Sequence, residues 1–405
     1  MRFEDYKLGE ISTFKYGKMP KKDRIKVKGY PIYTGYKVSG YYDEYMYETE
    51  QLIVVARGVG GTGDVKLAPE KSYITNLSII VELDKKKADK TYMMYYLNSL
   101  KLRYLDTGSA QSQITIKDLT NLKVRIPCLK EQKKVAQTLN KLFEKIELNN
   151  SIIANLEELA QTLFKHWFVD FEFPNEEGKP YKSSGGKMVE SELGMIPEGW
   201  DVKTLKDLIE IIDNRGKTPP LVNYSEYPII DVKALSGDSR VINYGMCTKY
   251  VNKNTYDNWF RKGHPQRYDI LFSTVGSIAS MKMFFEGNFG TIAQNVVALR
   301  SIAINPFYLY QYLIYQQEEI KQLNIGSVQP SIKVTHFIKK KILVPNKELY
   351  NKFNNTISIL SLYINSINKE NVKLMNVRDT LLPKLLSGEI ELPDDMEVTD
   401  DVPIS

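Results

Sequence analysis

Two stretches of the chain carry a heptad pattern, and the remainder alternates or runs short. Between residues 129 and 167 the positions Val135, Leu139, Leu142, Ile146, Asn149, Ile153, Leu156, Ala160, Leu163 and Trp167 step alternately by four and three. Between 347 and 386 the same stepping passes through Phe353, Ile357, Leu360, Ile364, Ile367, Asn371, Leu374, Arg378, Leu381 and Leu385. A seam of this period belongs to a coiled coil, so each stretch predicts one long helix of about 58 Å. Pro127 and Pro345 stand just before the two starts, where proline is tolerated. Elsewhere the apolar runs are short and punctuated by glycine: "QLIVVARG", "NLSIIVEL" and "KVRIP", then "DILFSTV", "QNVVALR" and "KILVP". They predict mainly β domains with one short helix each.

The two sets of elements are one unit written twice. "GSAQSQITI" at 108–116 and "GSVQPSIKV" at 326–334 align at a constant shift of 218, pairing Gly108 with Gly326, Gln111 with Gln329, and Ile114 with Ile332. The shift also aligns Pro127 with Pro345 and 52–58 with 270–276, and with small gaps "YPI" recurs at 30–32 and 227–229. Such internal repetition decides the architecture before any single motif does. Each seam holds one Asn, in different layers. If Asn149 faces Asn371, then Ile153 faces Ile367, Ile146 faces Leu374, Leu139 faces Leu381 and Trp167 faces Phe353, every pair summing to 520 as antiparallel pairing requires. Leu142 against Arg378 and Ala160 against Leu360 are the imperfect layers of that register. A buried Asn pair is a known means of fixing register; the competing expectation is that both side chains reach solvent at a loose midpoint. The expected fold is therefore α+β: two globular, mainly β domains separated by two long helices in an antiparallel coiled coil, related by a pseudo-twofold repeat. Such a chain would act as a ruler.

Composition narrows the chemistry. At 405 residues the chain exceeds one ordinary core, and no apolar run approaches the length needed to cross a bilayer. Two cysteines far apart, Cys128 and Cys247, make a disulfide framework improbable and a reducing cytoplasm the default. Three histidines without partners at metal spacing offer no zinc site. The net charge of +6 is unevenly spread: residues 1–128 carry 22 Lys and Arg against 15 Asp and Glu, and residues 200–346 carry 18 against 12. Two basic, tyrosine-rich blocks fit two surfaces for a polyanion, or else two lysine-rich solvated faces.

The motifs that suggest catalysis fail on context. "RGVGGTGD" (57–64) resembles a phosphate loop, but a strand pattern follows where a helix should open, so it reads as a hairpin tip. "NPFY" (305–308) lacks the second proline of an amino-methyltransferase loop and reads as a helix start, with Asn305 as cap and Pro306 in the first turn. "DFEF" (170–173) lacks the lysine that a nuclease carboxylate pair would need. Basic and aromatic residues do interleave, at 14–42 and again at 213–220 and 258–269. The candidates for phosphate or base-edge contact are Lys18, Lys21, Lys22, Arg24, Tyr33, Tyr36, Tyr41, Arg57, Thr62 and Asn76 in the first block. In the second they are Arg215, Lys217, Lys233, Arg240, Asn243, Lys249, Arg261, Lys262, Arg267, Ser273 and Gln294. Arg and Lys can clamp phosphates or read guanine, and Asn or Gln can read adenine; any single one can equally be a surface polar group.

The paired "GS-x-Q" phrases, the heptad helices and the linker "HWFVDFEFPNEEGKPYKSSGGKMVESELGMIPEGW" (166–200) resemble the specificity (S) subunits of type I restriction–modification systems, through essentially the whole chain. The resemblance implies target-recognition domains at 1–128 and 200–346, spacer helices at 129–167 and 347–386, a linker at 168–199 and an acidic C-terminal tail at 387–405. It also implies a non-catalytic, cytoplasmic subunit that reads a bipartite, asymmetric site in double-stranded DNA. Two methyltransferase (M) subunits would dock on the helices, and restriction (R) subunits would join them. S-adenosylmethionine, ATP and magnesium would belong to those partners, with no cofactor on this chain. The phrases at 108 and 326 would mark where each recognition domain hands over to its helix. The alternative is a fragment of a catalytic DNA methyltransferase or nuclease, against which the missing donor loop weighs.

Overall fold

The computed structural model describes residues 2–58, 61–106, 112–393 and 395–396. Its contacts divide the chain into two compact units, Met1–Ile146 with Lys373–Ser405, and Glu147–Val372. These units cut across the sequence segments, because both long helices, Leu129–Phe168 and Lys347–Ser387, pass from one unit into the other.

In the first unit a four-stranded antiparallel sheet runs in the order Ser12–Tyr16, Ser78–Leu83, Gln51–Val55, Val65–Ala68. A smaller sheet holds Ile25–Lys26, Val38–Tyr42, Tyr30–Tyr33 and Tyr73–Ile74, the last two parallel. Leu52, Val54, Ile79 and Val81 alternate into a core shared with Tyr92, Met93 and Leu97 of the helix Lys90–Ser99. Asp89 caps that helix by accepting from the Tyr92 amide at 2.8 Å, satisfying a donor with no partner inside the helix. The same core takes in Val135, Leu139, Leu381 and Leu385, so within this unit the two long helices pack together against the sheet. The Leu142 layer is resolved locally: Arg378 lies over the Phe143 ring at 5.2 Å and pairs with Asp379.

The second unit repeats the plan. Ile209–Ile212, Val296–Ser301, Ile270–Ser273 and Met281–Met283 form the four-stranded antiparallel sheet. Tyr227–Ile230 lies between Tyr250–Val251, antiparallel, and Thr291–Ile292, parallel. Asn305 caps the helix Pro306–Tyr315 with Pro306 in its first turn. The linker packs onto this unit through an aromatic group in which Trp200 contacts Phe168, Phe171 and Phe173, and Trp167 meets Phe353 at 5.8 Å.

At the end of the second unit's share of the helices sits a polar layer. Asn149 and Asn371 are both buried, and the Asn149 Nδ2 donates to Asn371 Oδ1 at 2.8 Å and to Glu370 Oε2 at 2.8 Å. Asn371 Nδ2 in turn donates to Asn150 Oδ1 at 2.9 Å. Ile153, Ile367, Ile364 and Ile357 continue the seam in one apolar cluster. Among the described residues no helix is long and apolar enough to cross a membrane.

Candidate nucleic-acid interface

Each unit's sheet fold is built on the same four junctions, three between backbone groups and one on a side chain. Where the parallel strand pair ends, Thr75 N donates to Tyr33 O at 3.0 Å, and Ala293 N donates to Ile230 O at 2.9 Å. Next, Ala56 N bonds Leu77 O at 2.8 Å and Thr274 N bonds Asn295 O at 2.9 Å. Ile114 N bonds Ala56 O at 3.0 Å, as Ile332 N bonds Thr274 O at 2.8 Å. Finally Gln113 N donates to Asp106 Oδ1 at 2.7 Å, and Ser331 N donates to Asn324 Oδ1 at 2.9 Å. Asp106 and Asn324 stand 218 apart, so that shift could have exposed them as turn-forming partners; their own residue type drew no attention. Asn324 also accepts from Gly326 N at 2.9 Å, folding the phrase 326–331 around one side chain. A Cβ on Gly326 would come within 1.8 Å of the Gln329 carbonyl oxygen, which is why glycine opens the phrase. The first copy's Gly108, Ser109 and Gln111 lie outside the described residues.

On this shared frame, Asn76 and Gln294 occupy equivalent places two residues past the parallel pair. In the second unit Gln294, Lys217 and Lys249 line one cleft of about 270 Å³, with Asn214, Asn295, Thr218 and Asp231. Ile229, Ile292, Leu221 and Phe260 give it apolar walls. Gln294 Nε2 donates to Gly216 O at 2.9 Å, which holds its side chain at the cleft and ties the loop carrying Lys217. The Asn295 Oδ1 is buried without a hydrogen-bond partner. An array of two ammonium groups, amides and a ring is suited to holding a phosphate and the edge of a base. Arg261, Lys262, Lys233 and Asn243 are also exposed in this unit. Arg215 is exposed but paired with Asp213, and Arg267 with Glu286 at 3.4 Å and the Tyr268 hydroxyl at 2.6 Å.

In the first unit Lys18, Lys21, Lys22, Tyr36 and Tyr41 are exposed, while Tyr33 and Asn76 are half-buried. The Tyr36 hydroxyl donates to Arg57 O at 3.0 Å, and its ring lies on Gly58 and Gly61, where any Cβ would collide with it. The strands flanking the glycine-rich stretch, Gln51–Val55 and Val65–Ala68, form a hairpin; Val59 and Gly60 lie outside the described residues. Arg24 forms hydrogen bonds to Asp43 and Glu44, which hold its guanidinium strongly protonated and offset its charge. Arg57 is half-buried, its guanidinium 5.8 Å from the Tyr16 ring centre.

Three candidates are not surface groups at all. Thr62 is buried and donates to Gly58 O at 3.0 Å, closing the hairpin turn. Ser273 is fully buried and donates to Ser277 O at 2.6 Å, shaping the equivalent turn. Arg240 is fully buried against Glu157 and Ser361, so its charge is spent inside the protein. These three are corrected from DNA contacts to structural groups.

The description "Type I restriction modification DNA specificity domain" matches residues 2–158 and 197–375. The chain belongs to the type I restriction–modification DNA specificity family. This specificity subunit is 26% identical over 314 residues to the type I restriction enzyme MjaIX specificity subunit of Methanocaldococcus jannaschii, covering 74% of this chain and 69% of that one. It is 24% identical over 335 residues to the HindI specificity subunit of Haemophilus influenzae, covering 69% and 71%. In fold it resembles the S subunit of a type I restriction–modification system from M. genitalium, with a TM-score of 0.65 at 20% identity over 95% of this chain and 96% of that chain. The specificity subunit thus has the expected α+β fold of two mainly β folds and long helices, written as an internal repeat.

Proposed function

We propose that the two recognition folds each read one half of a bipartite, asymmetric duplex DNA target, and that the long helices set the spacing and dock two methyltransferase subunits. The observation that carries this reading is the contrast between frame and surface. The junction bonds repeat, all but the Tyr33 and Ile230 acceptors at a shift of 218, whereas the side chains they present differ: Asn76 against Gln294, and Leu77 against Asn295. A repeated scaffold with unlike reading residues suits two unlike half-sites. Phosphate contact falls to Lys18, Lys21 and Lys22 in the first fold and to Lys217, Lys249, Arg261 and Lys262 in the second; base edges fall to Asn76 and Gln294. Methyl transfer, nucleotide hydrolysis and cleavage belong in this reading to partner M and R subunits in the cytoplasm, with S-adenosylmethionine, ATP and magnesium held there.

The test is co-expression with a cognate methyltransferase subunit and mapping of methylated sites across the host genome. A single gapped motif with two unlike halves is the expected result. One uninterrupted motif, or a stable complex that modifies nothing, refutes the proposal.

A further inference from the structure

Arg240 was expected on a DNA surface and instead joins the second recognition fold to both long helices. Its backbone amide donates to Glu157 Oε1 at 2.8 Å, and its Nε lies 3.0 Å from both carboxylate oxygens. Nη2 adds a further bond to Oε2, while Nη1 donates to Ser361 Oγ on the other helix. The guanidinium also lies 5.1 Å from the centre of the Tyr310 ring. The other end of the residue is equally fixed. Met283 N donates to Arg240 O at 2.7 Å, and the buried Lys282 ammonium binds Gly237 O and Ser239 O, pinning the loop to the edge strand Met281–Met283.

In the first unit, neutral side chains of the helix Leu129–Phe168 bond the short helix Lys90–Ser99 and the loop before it. Gln132 accepts from Asp89 N at 2.9 Å and donates to Lys87 O, and the Tyr95 hydroxyl donates to Asn140 Oδ1 at 2.9 Å. A buried ion pair is a poor source of net stability, because desolvating both charges offsets their attraction. What it supplies is direction: a planar fork bonded to a carboxylate on one helix and a hydroxyl on the other accepts few orientations, whereas apolar side chains slide.

We infer that the Arg240–Glu157–Ser361 joint is a positioning device that fixes the angle of the second recognition fold on the helices, and with it the length of the spacer between half-sites. This rests on the bipartite reading above. Arg240 and Glu157 act through the reading surface without touching DNA.

Two experiments test it. Arg240→Met, Arg240→Lys and Glu157→Gln subunits are co-expressed with the methyltransferase and their methylated sites mapped. The expected result is unchanged half-sites with methylation of spacers one base pair longer or shorter raised at least tenfold; Glu158→Ala, exposed on the same helix, leaves spacing alone. Spin labels at Asn258→Cys and Glu158→Cys, in a Cys128→Ser background, report the angle directly by pulsed distance measurement. A narrow distribution in the parent that broadens in Glu157→Gln supports the joint, and equal widths overturn it. A single unchanged spacer in folded variants overturns it as well. If the parent itself modifies no gapped motif, the DNA reading fails while the distance measurement still decides the joint.

Discussion

The Asn149–Asn371 layer makes the sharpest energetic statement. Replacing Asn149 alone with Leu removes the bond to Asn371 Oδ1 and the bond to Glu370, and leaves the buried Asn371 carbonyl facing an isobutyl group. Each lost bond is worth about 1 kcal/mol net, and a buried polar atom left unpaired costs roughly 1–3 kcal/mol. The new Leu offsets about 1.5–3 kcal/mol through burial, so each single substitution should destabilise by about 1–2 kcal/mol. In the double variant neither orphan remains, and two Leu side chains meet across the seam. Its stability should equal or exceed the parent's, giving a coupling energy of about 2–4 kcal/mol of opposite sign to the single effects. Urea denaturation of the four proteins, followed by far-UV circular dichroism at constant m-value, reads this directly. Effects that add to within about 0.5 kcal/mol would mean the two side chains act independently, and the register argument would fall.

Other outcomes follow from single sites. Burial pushes the Lys282 ammonium down to about 8 from its usual 10.5. Between those values the unfolded chain binds more protons than the folded one, so stability rises with pH from about 8 to 10.5; the burial cost, about 3 kcal/mol, is fully present below 8. Lys282→Met should abolish that part of the pH dependence in parallel denaturation series, and an unchanged slope contradicts the burial. Gly326→Ala, which sets a methyl group against the Gln329 carbonyl, should lower the melting temperature and raise proteolysis between 324 and 331, whereas Ser327→Ala, exposed, should do neither. Lys217→Ala and Lys249→Ala should each reduce the slope of log K against log salt for DNA binding by about 0.9 without altering the preferred sequence. Gln294→Ala should instead relax one half-site only; loss of preference in both halves would contradict the assignment.

Much of the helical architecture was legible because a 3.5-residue period survives in sequence whatever packs on it. The helices begin at Leu129 and Lys347, two residues after each proline, and the Asn pair lies at the positions summing to 520. The caps at Asn305 and Asp89 depend on neighbours two and three residues away, so local sequence can reveal them; Asn305 was read and Asp89 was not. What stayed hidden is non-local. An arginine in a basic block looks like any other until Glu157, 83 residues earlier, is brought against it. Thr62 and Ser273 turn inward because each hydroxyl bonds a carbonyl four residues away inside its turn, a contact that residue type alone does not name. The compact units themselves break in mid-helix, at Ile146 and Val372 beside the Asn149–Asn371 layer, where the four-and-three stepping of the heptads runs on unchanged.

The antiparallel seam also sets a timetable for synthesis. Asn149 and its partner are separated by 222 positions, and Leu139 and Leu381 by more. At roughly 5–20 residues per second, the first helix leaves the ribosome some 10–40 seconds before its complement exists. Through that interval Leu139, Ile146 and Ile153 have no seam to enter, although the first sheet can already form. The nascent chain therefore spends its longest vulnerable period with a finished fold at one end and a bare apolar stripe beside it. Whatever shields that stripe, a chaperone or a partner already waiting, decides how much of the chain reaches its final form.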